Sequence, residues 1–171
     1  MNKTAIEDAL YPVLTGILTG SLVWSFQNAP VPDGLFTRGS IESVVPVGHK
    51  QVTAPDSTGD AEFVQTENIM LYLQSYGSGA YDELLSVERR IELPSKLTAL
   101  AESGLVYVRN TGVTNVTDII KERYEEQAAL DIELRIADVQ TDEVGYIDTV
   151  SGEGKYKTGS TEITSEFTYG G

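Results

Sequence analysis

The sequence predicts an α+β fold, with a mixed and mostly antiparallel sheet that packs helices on one face. Apolar side chains occupy every second position from residue 128 to residue 136, with charged residues at 131, 133 and 135, which indicates a half-buried strand. Near the N-terminus, apolar residues recur at helical spacing. A strand with one apolar and one charged face is typical of an antiparallel sheet that covers only one face with helices.

The N-terminal segment is predicted to form the first helix. Thr4 and Glu7 have the spacing of a capping box, and the helical periodicity continues up to a glycine, so we expect a helix over residues 4–19. Pro12 lies inside this stretch. Because proline lacks a backbone N–H and clashes with the preceding turn, it is expected to kink or split the helix.

Three strands and two loops are predicted to follow. A short strand over residues 22–26 leads into residues 27–34, which read QNAPVPDG and form a rigid loop of turn-forming residues. Strands over residues 35–47 and 61–76 are expected to pair as a hairpin, and residues 49–60 form a polar, flexible loop between them. In the second strand, one face is predicted to carry Ile69, Leu71 and Leu73, and the other face Met70, Tyr72 and Gln74.

Two helices are predicted in the middle of the chain. The first begins near Ala80, and its inner stripe is Leu84, Leu85, Val87 and Ile91. Pro94 ends it and opens the second helix in its first turn, where a missing N–H costs nothing. The second helix is expected to end at Gly104 and to bury Leu97, Leu100 and Ala101. A strand over residues 105–109 and one helical turn over residues 117–121 follow.

The C-terminal part is predicted to add a hairpin and an extension. Asp142 and Glu143 are expected to form a tight turn, after which residues 144–150 pair with the half-buried strand. Residues 151–171 contain five glycines, so an added strand and a frayed tail are both consistent with them. Their docking side chains are Ile163, Phe167 and Tyr169. We therefore expect a single domain over residues 1–150, with an extension after it.

The composition excludes several classes of site. The chain has no cysteine, and therefore no disulfide, thiolate zinc site or cysteine nucleophile, and His49 is its one histidine. With 26 acidic and 12 basic residues, the formal charge of −14 argues against a groove that grips phosphates. No apolar run approaches the 18 residues of a membrane span, and no secretory signal is recognised, which predicts synthesis in the cytoplasm.

Four short segments invite interpretation as chemical sites, and each has a simpler explanation. Residues 77–79 lack the spacing of a nucleophile elbow, and residues 152–155 lack the offset of a phosphate-binding loop. Residues 56–60 form an incomplete calcium loop. Glu125 and Glu126 are more typical of an interface of ion pairs than of an acid–base site. We therefore predict no catalytic residue, no cofactor and no metal.

Three segments resemble the phage neck or tail terminator proteins, in order and in spacing. Residues 23–34, VWSFQNAPVPDG, resemble the family segment of an aromatic, two residues and Q-N-A-P-x-P-x-G. Residues 116–131 resemble its strand D-L-x-x-L-L-x-x-R-W-E-E-R-A-x-L-D, and residues 142–148, DEVGYID, match its closing D-D-V-G-Y-I-E. The resemblance covers about residues 4–150.

The resemblance implies a structural virion protein of the phage neck that is not an enzyme. Six copies would form a ring that caps the tail tube and joins it to the head-completion or adaptor proteins, with DNA passing through an acidic bore without specific binding. Tyr124 stands where the family has tryptophan and keeps an aromatic anchor. Gln127 stands where the family has arginine, which removes the charge of a candidate ion pair between subunits.

Two surfaces are expected to make the contacts. Stiff loops and aligned ion pairs fix register at little entropic cost, which favours the 27–34 loop and the charged run at 123–126 as subunit or partner contacts. Their candidate residues are Gln27, Asn28, Pro30, Pro32, Asp33, Arg123, Tyr124, Glu125 and Glu126. The loop at 49–60 is expected to order on the tube or adaptor. Its candidate residues are His49, Lys50, Gln51, Asp56 and Asp60.

Two alternatives stay open at this point. The first is a head-completion or tube-associated protein of the same neck. The second, from a different class, is a soluble acidic α+β binding module that recognises a cationic partner. Assembly state separates the classes, because a terminator forms rings or joins tubes, whereas a binding module stays monomeric or dimeric. A hydrolase, the third choice, requires a pocket with a perturbed base.

Overall fold

A computed structural model describes residues 2–25, 30–120, 123–145, 149–158 and 160–170. It confirms the α+β class, with a mixed, mostly antiparallel sheet. The helices in the described residues are α1 (Lys3–Thr15), α2 (Ala80–Arg90) and α3 (Pro94–Glu102). The strands are β1 (Ser21–Trp24), β2 (Phe36–Val52), β3 (Asp60–Tyr76), β4 (Leu105–Asn110), β5 (Thr114–Asn115), β6 (Asp118–Ile120), β7 (Arg123–Glu125), β8 (Gln127–Glu143), β9 (Thr149–Thr158) and β10 (Thr161–Gly170).

Helix α1 is capped differently from the prediction. The side chain of Asn2 accepts a hydrogen bond from the amide of Ala5 at 2.9 Å, so the capping box predicted at Thr4 is wrong. Pro12 lies inside a helix that continues for three more residues, so the helix is not split. It ends at Thr15, four residues early. Packing holds both sides of the proline in the core through Ile6, Leu10, Val13 and Leu14.

The main sheet has the strand order β1-β2-β3-β8-β4, and β5 also pairs with β8. Strand β1 runs parallel to β2, from the pair Ser21–Phe36 to the pair Trp24–Gly39. The predicted pairing of the two long strands is confirmed, because β2 and β3, each 17 residues long, are hydrogen-bonded neighbours. Both strands are longer than predicted, and the loop between them is correspondingly shorter.

Strand β8 lies between β3 and β4 and confirms the alternating pattern. Its inward side chains are at most 4% exposed and are Ala128, Leu130, Ile132, Leu134 and Ile136. On the opposite face, Glu133 accepts hydrogen bonds of 2.6 Å from Asn68 and from Arg109. Arg135 donates to the other end of the same Asn68 amide at 2.8 Å. The charged face is therefore a cross-strand network rather than a set of isolated charges.

The predicted partner of β8 is wrong. The strand continues to Glu143, so Asp142 and Glu143 do not form a turn. Its antiparallel partner at this end of the sheet is β4, with Leu105 opposite Ile136, rather than residues 144–150. The acidic pair lacks the glycine or asparagine that a two-residue hairpin turn requires, and both side chains stay exposed along the strand. Part of the predicted partner, residues 146–148, lies outside the described residues.

The helices α2 and α3 match the prediction in position but not in every buried residue. Helix α2 begins at Ala80, and Pro94 opens α3, as predicted. Of the inner stripe of α2, only Leu85 is not fully buried. Helix α3 buries Leu100, whereas Leu97 and Ala101 are exposed, because its inward face is rotated by about one residue from the predicted one. The residues on that inward face are Lys96, Ala99, Leu100 and Ser103.

The chain divides into two compact units. The first, Met1–Lys50 with Val64–Asp138, holds the three helices and the main apolar core. The second, Gln51–Phe63 with Val139–Gly171, holds β9 and β10, which pair as an antiparallel ribbon. Residues 151–158 and 161–170 thus lie in the two strands of this ribbon. The ring of Phe167 is 57% exposed and lies over its cross-strand partner Gly152.

The hydroxyl of Tyr107 makes the first unit sensitive to alkaline pH. It donates to Glu92 at 2.7 Å and accepts from Asn110 at 2.8 Å. Burial, and then the bond to Glu92, raise the pKa of Tyr107 to about 12. The folded-state pKa lies above the unfolded value of about 10. The stabilisation is therefore complete below pH 10 and is lost as the pH rises towards 12.

We expect Tyr107→Phe to destabilise the protein at pH 8. At pH 11.5 the effect should be smaller, because most of the stabilisation by the wild-type hydroxyl has been lost as the pH approaches its folded-state pKa. Urea unfolding at the two pH values measures the difference. As a second variant, Glu92→Gln removes the carboxylate and should lower the pKa of Tyr107, which absorbance titration of the phenolate detects. Equal effects of Tyr107→Phe at both pH values would contradict this linkage.

Candidate assembly surfaces

The proline-rich loop after β1 is exposed where the structure describes it. Residues 30–34 form no helix or strand, and Val31, between the two prolines, is 74% exposed. Of the predicted contact residues in this loop, Pro30 and Asp33 are exposed and Pro32 is half-buried. Gln27 and Asn28 lie outside the described residues. The described half of the loop thus offers an apolar, conformationally restricted surface.

The loop and the charged run meet at Gly77. Its φ is +97°, and a Cβ at this position would lie 2.8 Å from the carbonyl oxygen of Gly34, the last residue of the loop. On its other side, the amide of Gly77 donates to the carbonyl oxygen of Glu126 at 3.0 Å. Two segments that are about 90 positions apart in the sequence are therefore joined through one glycine backbone.

The charged run begins as a strand. Residues 123–125 form β7, which pairs antiparallel with β6, with Tyr124 opposite Ile119. The helical turn predicted for residues 117–121 is therefore wrong, because the adjacent β-branched isoleucines favour a strand. The side chain of Tyr124 is 82% exposed, and Glu125 is half-buried. The structure describes the backbone of Arg123, which pairs with Ile120.

Glu126 serves the fold of its own chain. Helix α2 has Gly79 at its N-cap position, so no side chain of its own caps the free amides. The carboxylate of Glu126 accepts from the amide of Gly79 at 3.0 Å and from that of Tyr81 at 3.4 Å. A negative charge at a helix N-terminus is favourable. Among the described side chains of the charged run, those of residues 124–126, Tyr124 is consequently the most open to a partner.

The predicted flexible loop at residues 49–60 is largely ordered strand. His49, Lys50 and Gln51 are exposed but lie in β2, and Asp60 begins β3, so the prediction of a flexible loop is wrong for these residues. The long hairpin continues because its two strands keep pairing: the amide of Thr53 still donates to the carbonyl of Glu62 at 2.9 Å.

The remaining loop is a tight turn organised by Asp56. Its Oδ1 accepts from the amide of Thr58 at 2.8 Å, from the Thr58 hydroxyl at 2.6 Å and from the amide of Asp60 at 3.1 Å. The bonds from Thr58 hold the pKa of Asp56 below its usual range. The carbonyl of Gly59 accepts from the amides of Val144 and Gly145 at 3.0 and 3.1 Å. The turn is therefore anchored rather than free.

The described residues lack a cluster of side chains for a metal ion but include an open groove. They contain no group of three or more acidic or histidine side chains arranged for a metal ion, and Asp56 satisfies its oxygen within the turn. Between α1 and α3 lies an open groove of about 350 Å³, lined by Pro12, Val13, Ser95, Lys96, Ala99, Glu102 and Ser103. None of the helices that the structure describes has the length and apolarity to cross a membrane.

Sequence reasoning missed one buried carboxylate. Glu83 is 5% exposed and reaches from α2 to the turn before β1. It accepts from the amide of Thr19 at 2.6 Å, the Thr19 hydroxyl at 2.8 Å and the amide of Gly20 at 2.7 Å. The sequence does contain a signal for the burial of Glu83, because it lies three residues after Ala80 and four before Val87 and so shares their face of the helix. An acid on a buried stripe must have internal partners.

Residues 4–160 match the family model described as "Phage neck terminator protein". The matched segment covers most of the chain and includes the proline-rich loop, the charged run, the Asp56 turn and β9. Strand β10 lies beyond it. No curated protein matches the chain.

Proposed function

The chain belongs to the phage neck terminator family, and from this premise we propose that six copies close into a ring that caps the tail tube. The family is structural, so the chain acts through its surfaces as a component of the virion neck. In the proposed ring, one face meets the tube and the other meets a head-completion or adaptor protein, while DNA passes through the centre.

The observation that carries the subunit contact is the junction at Gly77. The exposed loop at residues 30–34 and the charged run both lie beside this one backbone position, which supports one continuous contact surface. Val31 and Tyr124 are the most exposed apolar and aromatic side chains described there. Large aromatic side chains and stiff backbone give contact area at low entropic cost.

The charge of the chain supports passage of DNA without binding. Six copies with a formal charge of −14 each bring −84 to the ring. The second unit carries nine of the 26 acidic residues but only Lys155 and Lys157 of the basic ones. An acidic wall repels the phosphate backbone and lets the duplex slide.

The tube or adaptor contact is proposed for the Asp56 turn and the strand residues before it, His49, Lys50 and Gln51. The turn is exposed and internally hydrogen-bonded, so it can insert into a partner without losing much conformational freedom. The Asp56 turn is already ordered by its own hydrogen bonds, so it need not become ordered on contact, as the flexible loop predicted for residues 49–60 would.

Light scattering followed by negative-stain microscopy tests the ring. We expect a species of six times the 18.6 kDa chain mass, with a central hole. If the purified chain is a monomer, the same measurement is repeated with purified tail tubes, where capped tube ends are expected. A monomer that leaves tubes uncapped would contradict the proposal and favour the acidic binding module.

The charged run is tested by Arg123→Glu and Tyr124→Ala. Tyr124 is so exposed that its truncation should cost the fold little, whereas we expect both variants to reduce ring formation or tube capping at least severalfold. Tyr11→Ala, at a 47% exposed tyrosine on α1, is the matched control and should assemble normally. Normal assembly of both test variants would remove the charged run from the interface.

A further inference from the structure

Strand β2 has a long edge with no partner strand among the described residues. Strand β1 covers that edge only as far as the Trp24–Gly39 pair and one further bond of 2.8 Å from the amide of Ser25 to Gly39. Beyond Gly39, the neighbour of β2 among the strands that the structure describes is β3, on its other side. Among the described residues, residues 41–47 therefore present a row of backbone donors and acceptors without a strand partner, here called the free edge. The carbonyl of Val47, at its end, accepts a side-chain bond from Gln65 at 3.2 Å.

The free edge is apolar as well as unpaired. Val44 is 43% exposed and its neighbour Val45 is 52% exposed, so side chains on both faces of the strand lack cover. An exposed, apolar edge strand is a template for pairing with another chain, and folded proteins usually protect it with charges. Between residues 41 and 47 the only charged side chain is Glu42.

The same chain offers a strand that fits this edge. Strand β10 pairs only with β9 among the described residues, so its outer backbone row is also free. It has ten residues and no proline, and six of the ten are threonine, isoleucine, phenylalanine or tyrosine, which favour strands; the other four are two glutamates, a serine and a glycine. A two-stranded ribbon is only marginally stable by itself in water, and a third strand stabilises it.

We propose that β10 of one copy adds to the free edge of β2 in a second copy, extending the main sheet across the subunit boundary. The proposal rests on the ring proposed above, because it supplies a head-to-tail contact of the kind that closes into rings. Hydrogen bonds between the two backbone rows would provide the affinity. The exposed side chains of Val44 and Val45 would add apolar contact with β10.

Pairing of two free edges with each other is less favourable. Pro46 provides no N–H, and Gly48, with a φ of +75°, interrupts the regular strand just after the edge. A symmetric pair would contain both irregularities twice. When β10 is the partner, Pro46 and Gly48 each occur only once in the contact, and both lie at one end of it.

The absence of cysteine in the chain allows a clean test by disulfide cross-linking. One preparation carries Ser43→Cys in the free edge, and a second, with a different affinity tag, carries a single cysteine in β10 at Thr164, Ser165, Glu166, Phe167 or Thr168. The preparations are mixed, with purified tail tubes if rings need them, and oxidised. Paired strands bring Cα atoms within the 4.4–6.8 Å that a disulfide spans. In the matched control, Ser95→Cys on α3 replaces Ser43→Cys.

We expect mixed-tag dimers at about tenfold or more above the control, with yields that alternate along β10, because successive residues of a strand differ in their distance to a partner on one face. Rings without mixed-tag dimers would overturn the pairing and leave the ring intact. Mixed-tag dimers without rings or capping would support the pairing and overturn the ring. Homodimers of Ser43→Cys as the main product, or no cross-link at all, would overturn the pairing.

Discussion

Glu83→Ala is expected to lower the free energy of unfolding by about 3 kcal/mol or more, since it removes three hydrogen bonds to a charged group and each such bond contributes about 1.5–3 kcal/mol. The substitution removes the 5% exposed carboxylate that the amides of Thr19 and Gly20 and the Thr19 hydroxyl, three part-buried donors, bind in the fold. It also releases the turn that joins α1 to β1 from helix α2.

Trp24 gives a direct measurement of this effect. It is the one tryptophan of the chain, is 7% exposed and lies in β1, which starts directly after the turn that Glu83 holds. Urea unfolding followed by the fluorescence of Trp24 reports the stability of the first unit.

Glu83→Gln keeps one acceptor oxygen, so its free energy of unfolding should lie between those of the wild type and Glu83→Ala. Glu102→Ala, at an exposed glutamate, should change the stability by no more than about 0.5 kcal/mol. Equal effects of Glu83→Ala and Glu102→Ala would contradict the role of Glu83.

Gly77→Ala is expected to destabilise the fold by about 2–4 kcal/mol and to impair assembly. The left-handed backbone alone costs a non-glycine residue about 1–2 kcal/mol. The new Cβ would also lie 2.8 Å from the carbonyl oxygen of Gly34 and 3.3 Å from the Cα of Leu35, and both are backbone atoms that cannot rotate away. The proline-rich loop must therefore move away from the charged run.

A second glycine separates the cost of the left-handed backbone from the cost of the close approach to Gly34. Gly112 has a φ of +80°, but a Cβ there meets nothing within 4 Å, so Gly112→Ala has only the conformational cost. Unfolding measurements on both variants isolate the close approach at Gly77. Light scattering then shows whether assembly fails in Gly77→Ala and persists in Gly112→Ala. If both variants lose the same stability and assemble alike, the junction at Gly77 does not organise the contact surface.

The fold class and the strands β1, β2, β3, β4 and β8 of the main sheet were predictable because their signals are local. The alternation in β8 and the glycine and proline positions around α2 and α3 depend on period and backbone chemistry alone. The strand partners were harder. Pairing β8 with β3 and β4 links residues far apart in the sequence, and no local pattern around Asp142 distinguishes a turn from an exposed strand end.

The contact surfaces were predictable only as segments. The resemblance singled out the proline-rich loop and the charged run, but not that Gly77 joins them or that the carboxylate of Glu126 caps α2. A glycine required by a close approach looks like any turn glycine in a single sequence. An exposed glutamate and one that caps another element likewise look the same until the fold brings the helix end beside it.

The order of strands in the main sheet sets when the protein can fold during synthesis. Strand β8 is the last strand of the main sheet to be made but lies between β3 and β4. Until it appears, β4 has no neighbour in this sheet and β3 is paired only on its β2 side. At about 5–20 residues per second, the ribosome needs roughly 3–12 s to proceed from the end of β3 to residue 136. During that time Ile69, Leu71 and Leu73, which become fully buried, have no sheet partner on the β8 side. A prematurely terminated chain therefore retains an open apolar sheet, which favours aggregation over entry into an assembly.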